Sequence, residues 1–396
     1  MKKYWPIAVL LVMALAITEA VLLPRTTPAT AEITLPVARM LACPVGDPAV
    51  GKTVVTVADQ ATFTAGEAGA LAGEPTTYAS FENPAKPIIV RGSSMVSGLT
   101  VYTEGDKSAS IPCAAPVTAG TWNGITTPEG AAVTLYLSNV DPGPAVVDVF
   151  LVGQTGPVAA AGLSDIPVAS GATRTLAIDQ IVTSETPFSV QIRASKGRVS
   201  ATLRVIGPTG LDWQLPQTSA DTDIVIAGIP AGEGTRTLTL TNADQVNRAH
   251  VAVTVLTETG TFDAIGLDSL EVPAGRAESI DITEGLAAQA TALHLVSDLP
   301  ITATVVTSAP DLAGVSAYPA LAGAVVFPPV GGTLWAANPG TTAATVSLRA
   351  TDDTGTVASS DTPVNPGSLV GIPFPSAGKA VRVWADSDSV RTAVVT

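Results

Sequence analysis

The chain has 396 residues, of which 20 are Lys or Arg and 34 are Asp or Glu, giving a net charge of −14 and a charged fraction of only 14%. Thirty-five Gly and 31 Pro punctuate a sequence that is still 46% hydrophobic, too apolar for a disordered chain and too interrupted for a helical one. The acidic balance argues against a nucleic-acid partner, because phosphate binding needs clustered Lys and Arg.

The first element is apolar. Lys2, Lys3, Tyr4 and Trp5 precede a run from Pro6 to Leu23 whose only charge is Glu19. As a helix, Trp5 to Leu23 would span roughly 28 Å, about one hydrocarbon thickness. The two lysines place its start in the cytoplasm. The expectation is therefore a single-pass anchor over 5–23 within a 1–31 leader, with everything beyond it outside the membrane. A cleavable signal peptide is the competing reading, with cleavage after Ala31 in Ala29-Thr30-Ala31 and a secreted product. Both export the chain.

Two cysteines, Cys43 and Cys113, follow in what is then an oxidising compartment, so a disulfide between them is expected. A loop of about 70 residues would be worth roughly 4 kcal/mol on chain-entropy grounds. Two buried free thiols are the alternative. Between the cysteines, Gly46 to Thr53 satisfies the G-x-x-x-x-G-K-T phosphate-loop spacing. That motif needs a helix after it, whereas Thr53-Val-Val-Thr-Val57 reads as a strand, so a plain turn is expected.

From here the chain repeats. An alternating strand ending in Asn recurs as Thr134 to Asn139, Thr237 to Asn242 and Thr333 to Asn338, the asparagines 103 and 96 residues apart, with a weaker copy at Tyr78 to Asn83. Each strong copy leads to a second strand closing on Gly and then to a Pro/Gly turn such as Val272-Pro-Ala-Gly275. Two short strands around a tight turn end the unit, at Val190 to Val205, Leu293 to Val306 and Val381 to Val395, joined by Leu99 to Cys113. Period-2 alternation bounded by Gly, Pro, Asn and Asp is the strand and turn signature.

The fold class is all-β. Units of 90 to 100 residues suit tandem immunoglobulin-like β-sandwich repeats, with boundaries at 33–115, 116–207, 208–309 and 310–396. The first unit reads as short of two strands, since 19 residues separate Asn83 from Tyr102 against 52 from Asn242 to His294. A β-propeller of about eight four-stranded blades is the alternative, because the same periodicity can be cut in another phase.

Chemistry-bearing residues are few. His250 and His294 are the only histidines. His250 alternates with Val251, Val253 and Val255 and should face solvent, and the sequence places no further metal ligand beside either. No G-x-S-x-G elbow exists for a serine triad. Ser376-Ala-Gly-Lys379 matches S-x-x-K but sits between Pro375 and strands, so it reads as a turn. Acidic pairs at Asp221 and Asp223, Asp352 and Asp353, and Asp386 and Asp388 fall in expected loops, without the six or more oxygens calcium takes. Trp122, Trp213, Trp335 and Trp384 read as core anchors more than as a ligand platform.

The early Cys43-Pro44, the Asn338-Pro339-Gly340 strand end, the Ser297-Asp298-Leu299-Pro300 turn and Asp212-Trp213 together resemble an uncharacterised actinobacterial family of anchored, exported proteins catalogued as domain of unknown function 5719. The resemblance implies location and supplies no activity. The combined expectation is a non-enzymatic, membrane-anchored extracytoplasmic β-repeat protein. It would need no cofactor or metal and would bind or brace an envelope protein or glycan. The alternative is an envelope hydrolase using a carboxylate pair.

Overall fold

Val-, Thr- and Leu-rich segments, several with alternating burial, build the strands of this chain. In Ala249–Thr257, Val251, Val253 and Val255 are buried while His250 and Ala252 are exposed, the pattern of a strand with one face on a core. The structure, a computed structural model, describes residues 39–395 apart from 45–50, 58–60, 69–73, 93–95, 105–106, 285, 287–288, 309–311, 318–320 and 322. The expected anchor at 5–23, the cleavage site at Ala31 and the Gly46 to Val50 part of the glycine-lysine motif lie outside the described residues. Among the described residues there is no helix, and none long and apolar enough to cross a membrane. Residues 38–396 cluster as one compact unit.

Within it the strands fall into four groups, each a pair of antiparallel layers over a shared core. The first comprises β1 (Arg39–Cys43), β2 (Gly51–Val57), β3 (Phe63–Glu67), β4 (Tyr78–Glu82), β5 (Ile88–Gly92), β6 (Val96–Glu104) and β7 (Lys107–Pro112). Its layers are β1-β5-β3 and β4-β2-β6-β7. Val55, Phe63, Ile88 and Val90 fill the space between them.

The second group comprises β8 (Ala119–Thr127), β9 (Ala132–Ser138), β10 (Ala145–Gly153), β11 (Gly156–Val158), β12 (Ile166–Val168), β13 (Thr173–Ala177), β14 (Ser184–Lys196), β15 (Ser200–Gly207) and β16 (Gly210–Gln214). Layer β11-β10-β14-β8, with β12 also on β10, faces β13-β9-β15-β16. Trp122, Leu135, Val149, Val190 and Leu203 pack between them.

The third comprises β17 (Asp221–Ile229), β18 (Arg236–Asn242), β19 (Ala249–Thr257), β20 (Gly260–Asp263), β21 (Leu270–Val272), β22 (Ala277–Asp281), β23 (Thr291–Thr307) and β24 (Ala313–Ser316). The fourth comprises β25 (Val325–Phe327), β26 (Thr333–Asn338), β27 (Ala344–Asp352), β28 (Gly355–Val364), β29 (Ser368–Pro373), β30 (Ala380–Ala385) and β31 (Arg391–Val395). Its layers are β25-β30-β27-β28 and β29-β26-β31. A parallel contact, Thr257 beside Ser368, links β19 to β29.

The strand pair expected to close each unit as a hairpin does something else. In the second group β14 belongs to one layer and β15 to the other, and β30 and β31 divide in the same way. The third group makes the crossing within one strand. The first part of β23 pairs with β19 as far as Ser297, and its later part pairs with β18 from Ile301 onward. The Ser297 to Pro300 segment is therefore a bend inside a continuous strand and not a turn. Leu99 to Cys113 is misaligned with these pairs, because β6 and β7 form a hairpin within one layer, Leu99 opposite Pro112. The crossing pair of the first group is β5 and β6. That group therefore has both layers, with seven strands among the described residues. Alternation is identical in a hairpin and in a crossing, which is why the sequence does not separate them.

The asparagine marker is explained by its side chain. Asn139, Asn242 and Asn338 are 1%, 1% and 0% exposed. In each, Nδ2 donates to the carbonyl four or five residues on, at Gly143, Asn247 or Thr342 (2.8, 2.9 and 2.8 Å). It donates again to the carbonyl of Val168, Val272 or Val364 (3.0, 3.1 and 3.1 Å). Oδ1 accepts the N–H two residues on, at Asp141, Asp244 or Gly340. The Pro/Gly turn then folds over the amide. Gly171, Gly275 and Gly367 take φ values of +68°, +63° and +63°, where a Cβ is unfavourable. Asn83 is not a copy: it follows β4, takes φ +46°, and accepts the Gly51 N–H at 3.0 Å.

Replacing Asn242 with Ala removes three hydrogen bonds and strands the buried Val272 carbonyl, which should cost about 2–4 kcal/mol. Urea unfolding followed by tryptophan fluorescence checks this, with Asn83→Ala expected to shift the curve much less.

Candidate functional site

Cys43 and Cys113 form a disulfide, S–S 1.97 Å. Cys43 ends β1 in one layer and Cys113 follows β7 in the other, so the bond staples the two layers of the first group. Reciprocal backbone bonds between Ala42 and Ala114 (2.9 and 2.8 Å) run beside it.

The motifs discounted in the sequence take structural places. Gly51 to Thr53 open β2, and Lys52 pairs with Glu82 at 2.9 Å. Ser376 to Lys379 is a bend with Gly378 at φ +106°, and Lys379 pairs with Asp353. Asp221 accepts the Thr222 and Asp223 N–H groups, Asp352 those of the Thr354 backbone and hydroxyl, and Asp386 the Thr345 N–H. Asp352 caps a turn, whereas Asp221 and Asp223 lie in β17 and not in the expected loop, and Asp386 ties its segment to the start of β27.

The histidines do find carboxylates that sequence spacing did not reveal. His250 donates its backbone N–H to Asp298 Oδ1 and places Nδ1 on Oδ2, both at 2.8 Å. Its Nε2 lies 3.9 Å from Glu271, which also pairs with Arg248. His294 Nε2 meets Asp223 at 2.9 Å. The missed signal is the bend in β23, which carries Asp298 beside β19. The His250 N–H first, and its ring second, hold the Asp298 carboxyl below the usual aspartate range. Among the described residues no three such groups are placed to hold a metal ion.

The joints between groups are more informative. Between the first and second, Trp213 stacks on Tyr102 (centroids 4.5 Å, 13° between planes) with Tyr136 at 5.1 Å. Burial pushes the Tyr102 phenol well above its ordinary range, and its hydroxyl donates to the Pro44 carbonyl. Between the second and third the contact is polar. Asn123 Oδ1 accepts from Ser189 (2.9 Å), Thr241 (2.7 Å) and Thr302 (3.3 Å). Gln217 clamps the Ala303 backbone, donating to its carbonyl at 2.6 Å and accepting its N–H at 3.0 Å. Gly124, at φ +76°, allows this approach, since a Cβ there would lie 2.7 Å from Val306 Cγ2. Between the third and fourth the contact is small and apolar, Val225, Ala227 and Leu256 against Ala337, Leu369 and Trp335.

Two clefts open at such joints. One, about 440 Å³, lies where the second group meets the third, with Phe150, Gln191, Arg193, Ser219 and Gln245 on its walls. The other, about 590 Å³, lies on the outer face of β27 and β30, with Val57 of the first group on its far wall. There Trp384 has the Arg349 and Arg382 guanidiniums each 5.7 Å from its ring centre. Trp122, Trp213 and Trp335 sit in cores or joints, as core anchors do, whereas Trp384 lines a cleft. Among the described residues no carboxylate or imidazole lines either cleft.

Residues 91–375 match a family of unknown function (DUF5719). No curated protein and no solved structure matches the chain.

Two outcomes follow from these geometries. Exchanging both cysteines for Ser should lower stability by up to about 4 kcal/mol, read as a shift in the unfolding midpoint, with mass spectrometry showing two thiols protected from alkylation before reduction. An NMR titration should place the Asp298 carboxyl below 3.8. A depressed carboxyl stabilises the fold above its unfolded value, and that contribution is lost as the pH falls through the folded value. His250→Ala should reverse the shift only in part, because the backbone N–H remains.

Proposed function

The chain belongs to the family of unknown function DUF5719, which supplies no activity, and we propose that it is a non-enzymatic envelope-binding protein: an array of four immunoglobulin-like sandwiches held outside the membrane by an N-terminal anchor. Two antiparallel layers over one core, with successive strands changing layer, support the sandwich reading. A propeller blade would instead keep consecutive strands in one sheet. The disulfide suits an oxidising compartment.

The observation that carries the binding role is the pair of joint clefts, lined by amides, hydroxyls, guanidiniums and aromatic rings and, among the described residues, by no carboxylate or imidazole. Such walls orient and hold a ligand. Proton transfer to or from a reacting group needs a positioned acid or base, and none of the acidic pairs is among the described residues that line either cleft.

The purified protein, incubated with sedimented cell-envelope material, should be retained saturably without releasing soluble sugar or peptide. Release of product that is abolished by one loop substitution would favour the carboxylate hydrolase instead. Edman sequencing of the native protein should begin at the initial residues, and a start at Glu32 would make it a secreted protein.

A further inference from the structure

We propose that the groove where the second group meets the third is a saccharide site for a neutral pyranose chain; this rests on the binding role proposed above and gives it a ligand class. The outward face of β8, β14 and β10 forms its main wall. Thr121, Gln191 and Phe150 are cross-strand neighbours in one row, which at strand spacing is roughly 10 Å across. Arg193 begins the next row, with Asp148 opposite it. The Ala243 to Gln245 loop and the Gln217 to Ala220 linker close the other side.

Phe150 is 47% exposed although Val149 and Leu151 on either side of it are buried. An aromatic ring left open beside amides and hydroxyls matches the two surfaces of a pyranose. Its C–H face is apolar and packs on a ring, and its equatorial hydroxyls pair with side chains that both donate and accept. Gln191 offers an amide with that dual character, and Thr121, Thr218 and Ser219 offer hydroxyls.

These groups are available. The side chains of Thr121, Gln191, Arg193, Thr218 and Ser219 have no hydrogen-bond or ion-pair partner among the described residues. The inner end of the groove is the reverse, for Asn123, Ser189, Thr241 and Thr302 satisfy one another. That spent network fixes the two walls, so little order remains to be gained on binding.

Charge selects the class. Among the described residues no carboxylate lines the groove, which removes the partner a cationic ligand needs. The one cation among its described lining residues, Arg193, faces Asp148 across the strands on a chain of net charge −14, which disfavours a polyanion.

The test titrates the full chain with maltohexaose, mannohexaose and chitohexaose, and with hexagalacturonate as the acidic counterpart, by calorimetry. At least one neutral hexasaccharide should bind saturably. Phe150→Ala and Gln191→Ala should each weaken it roughly tenfold, at unchanged thermal midpoints. Phe262→Ala, which removes another exposed ring, should leave binding unaltered. The proposal is overturned if no neutral sugar binds, if Phe150→Ala and Gln191→Ala bind as the parent does, or if hexagalacturonate binds more tightly than every neutral sugar. An envelope protein that occupies the groove while none of the sugars competes would overturn it equally. Envelope retention undiminished in the Phe150→Ala, Gln191→Ala double variant sinks this site alone, whereas absent retention by the unaltered chain sinks the wider reading.

Discussion

One buried side-chain amide sets the geometry of each of the last three groups. Once Asn139, Asn242 or Asn338 is carried inside at the end of its strand, it brings two donors and an acceptor that water can no longer satisfy. The chain meets that demand by bending the following loop so that a carbonyl four or five residues on returns to the amide. A second carbonyl comes from the strand end before the next Pro/Gly turn. The end of one strand, the loop after it and a turn about 30 residues later are thereby tied together. The layers assemble around that knot, and the faces they turn outward become the joints.

Those outward faces vary by matched substitution. The residue three places before the marker asparagine is Tyr136, Thr239 or Trp335, and each lies in a joint. Tyr136 packs on Trp213, Thr239 lies beside Gly124, and Trp335 packs among small apolar residues. The opposing strands change in step. Trp122-Asn-Gly-Ile125 and Ile226-Ala-Gly-Ile229 keep the buried first residue and a glycine at φ +76° and +77°, while Asn123 becomes Ala227. Across the joint Thr241 becomes Ala337. A polar pair in one joint thus corresponds to an apolar pair in the next, which keeps each face specific for its own neighbour. The polar joint opens into a groove with unspent hydrogen-bonding side chains.

Much of this was legible in the chain. The all-β class followed from period-2 alternation, and the disulfide from two cysteines beyond an expected export segment. The turn character of Ser376 to Lys379 followed from Pro375 and Gly378. Three readings failed for physical reasons. Asn83 copies the marker in letters only, because its preceding strand lies at a different place in the layer. Leu99 to Cys113 alternates like a crossing pair yet forms a hairpin. Ser297 to Pro300 has turn composition, but continuing hydrogen bonds on both sides keep it within β23. The partners of His250 and His294 were hidden because Asp298 and Asp223 are brought to them by strand pairing across 48 and 71 residues.

By itself the sequence determined which face of an alternating strand turns to its own core, since alternation along a strand is a local property and the cost of wetting an apolar face is the same wherever the strand pairs. It also marked most of the turns, because Gly, Pro and Asn carry their backbone preferences with them, the Ser297 to Pro300 bend within β23 excepted. Only the tertiary structure decided which layer each strand joins and which outward faces meet. Those depend on pairings between residues tens of positions apart, whose hydrogen bonds are made by backbone groups that every residue shares. The groove beside Phe150 belongs to that second class, because its walls come from two groups and neither wall carries it alone.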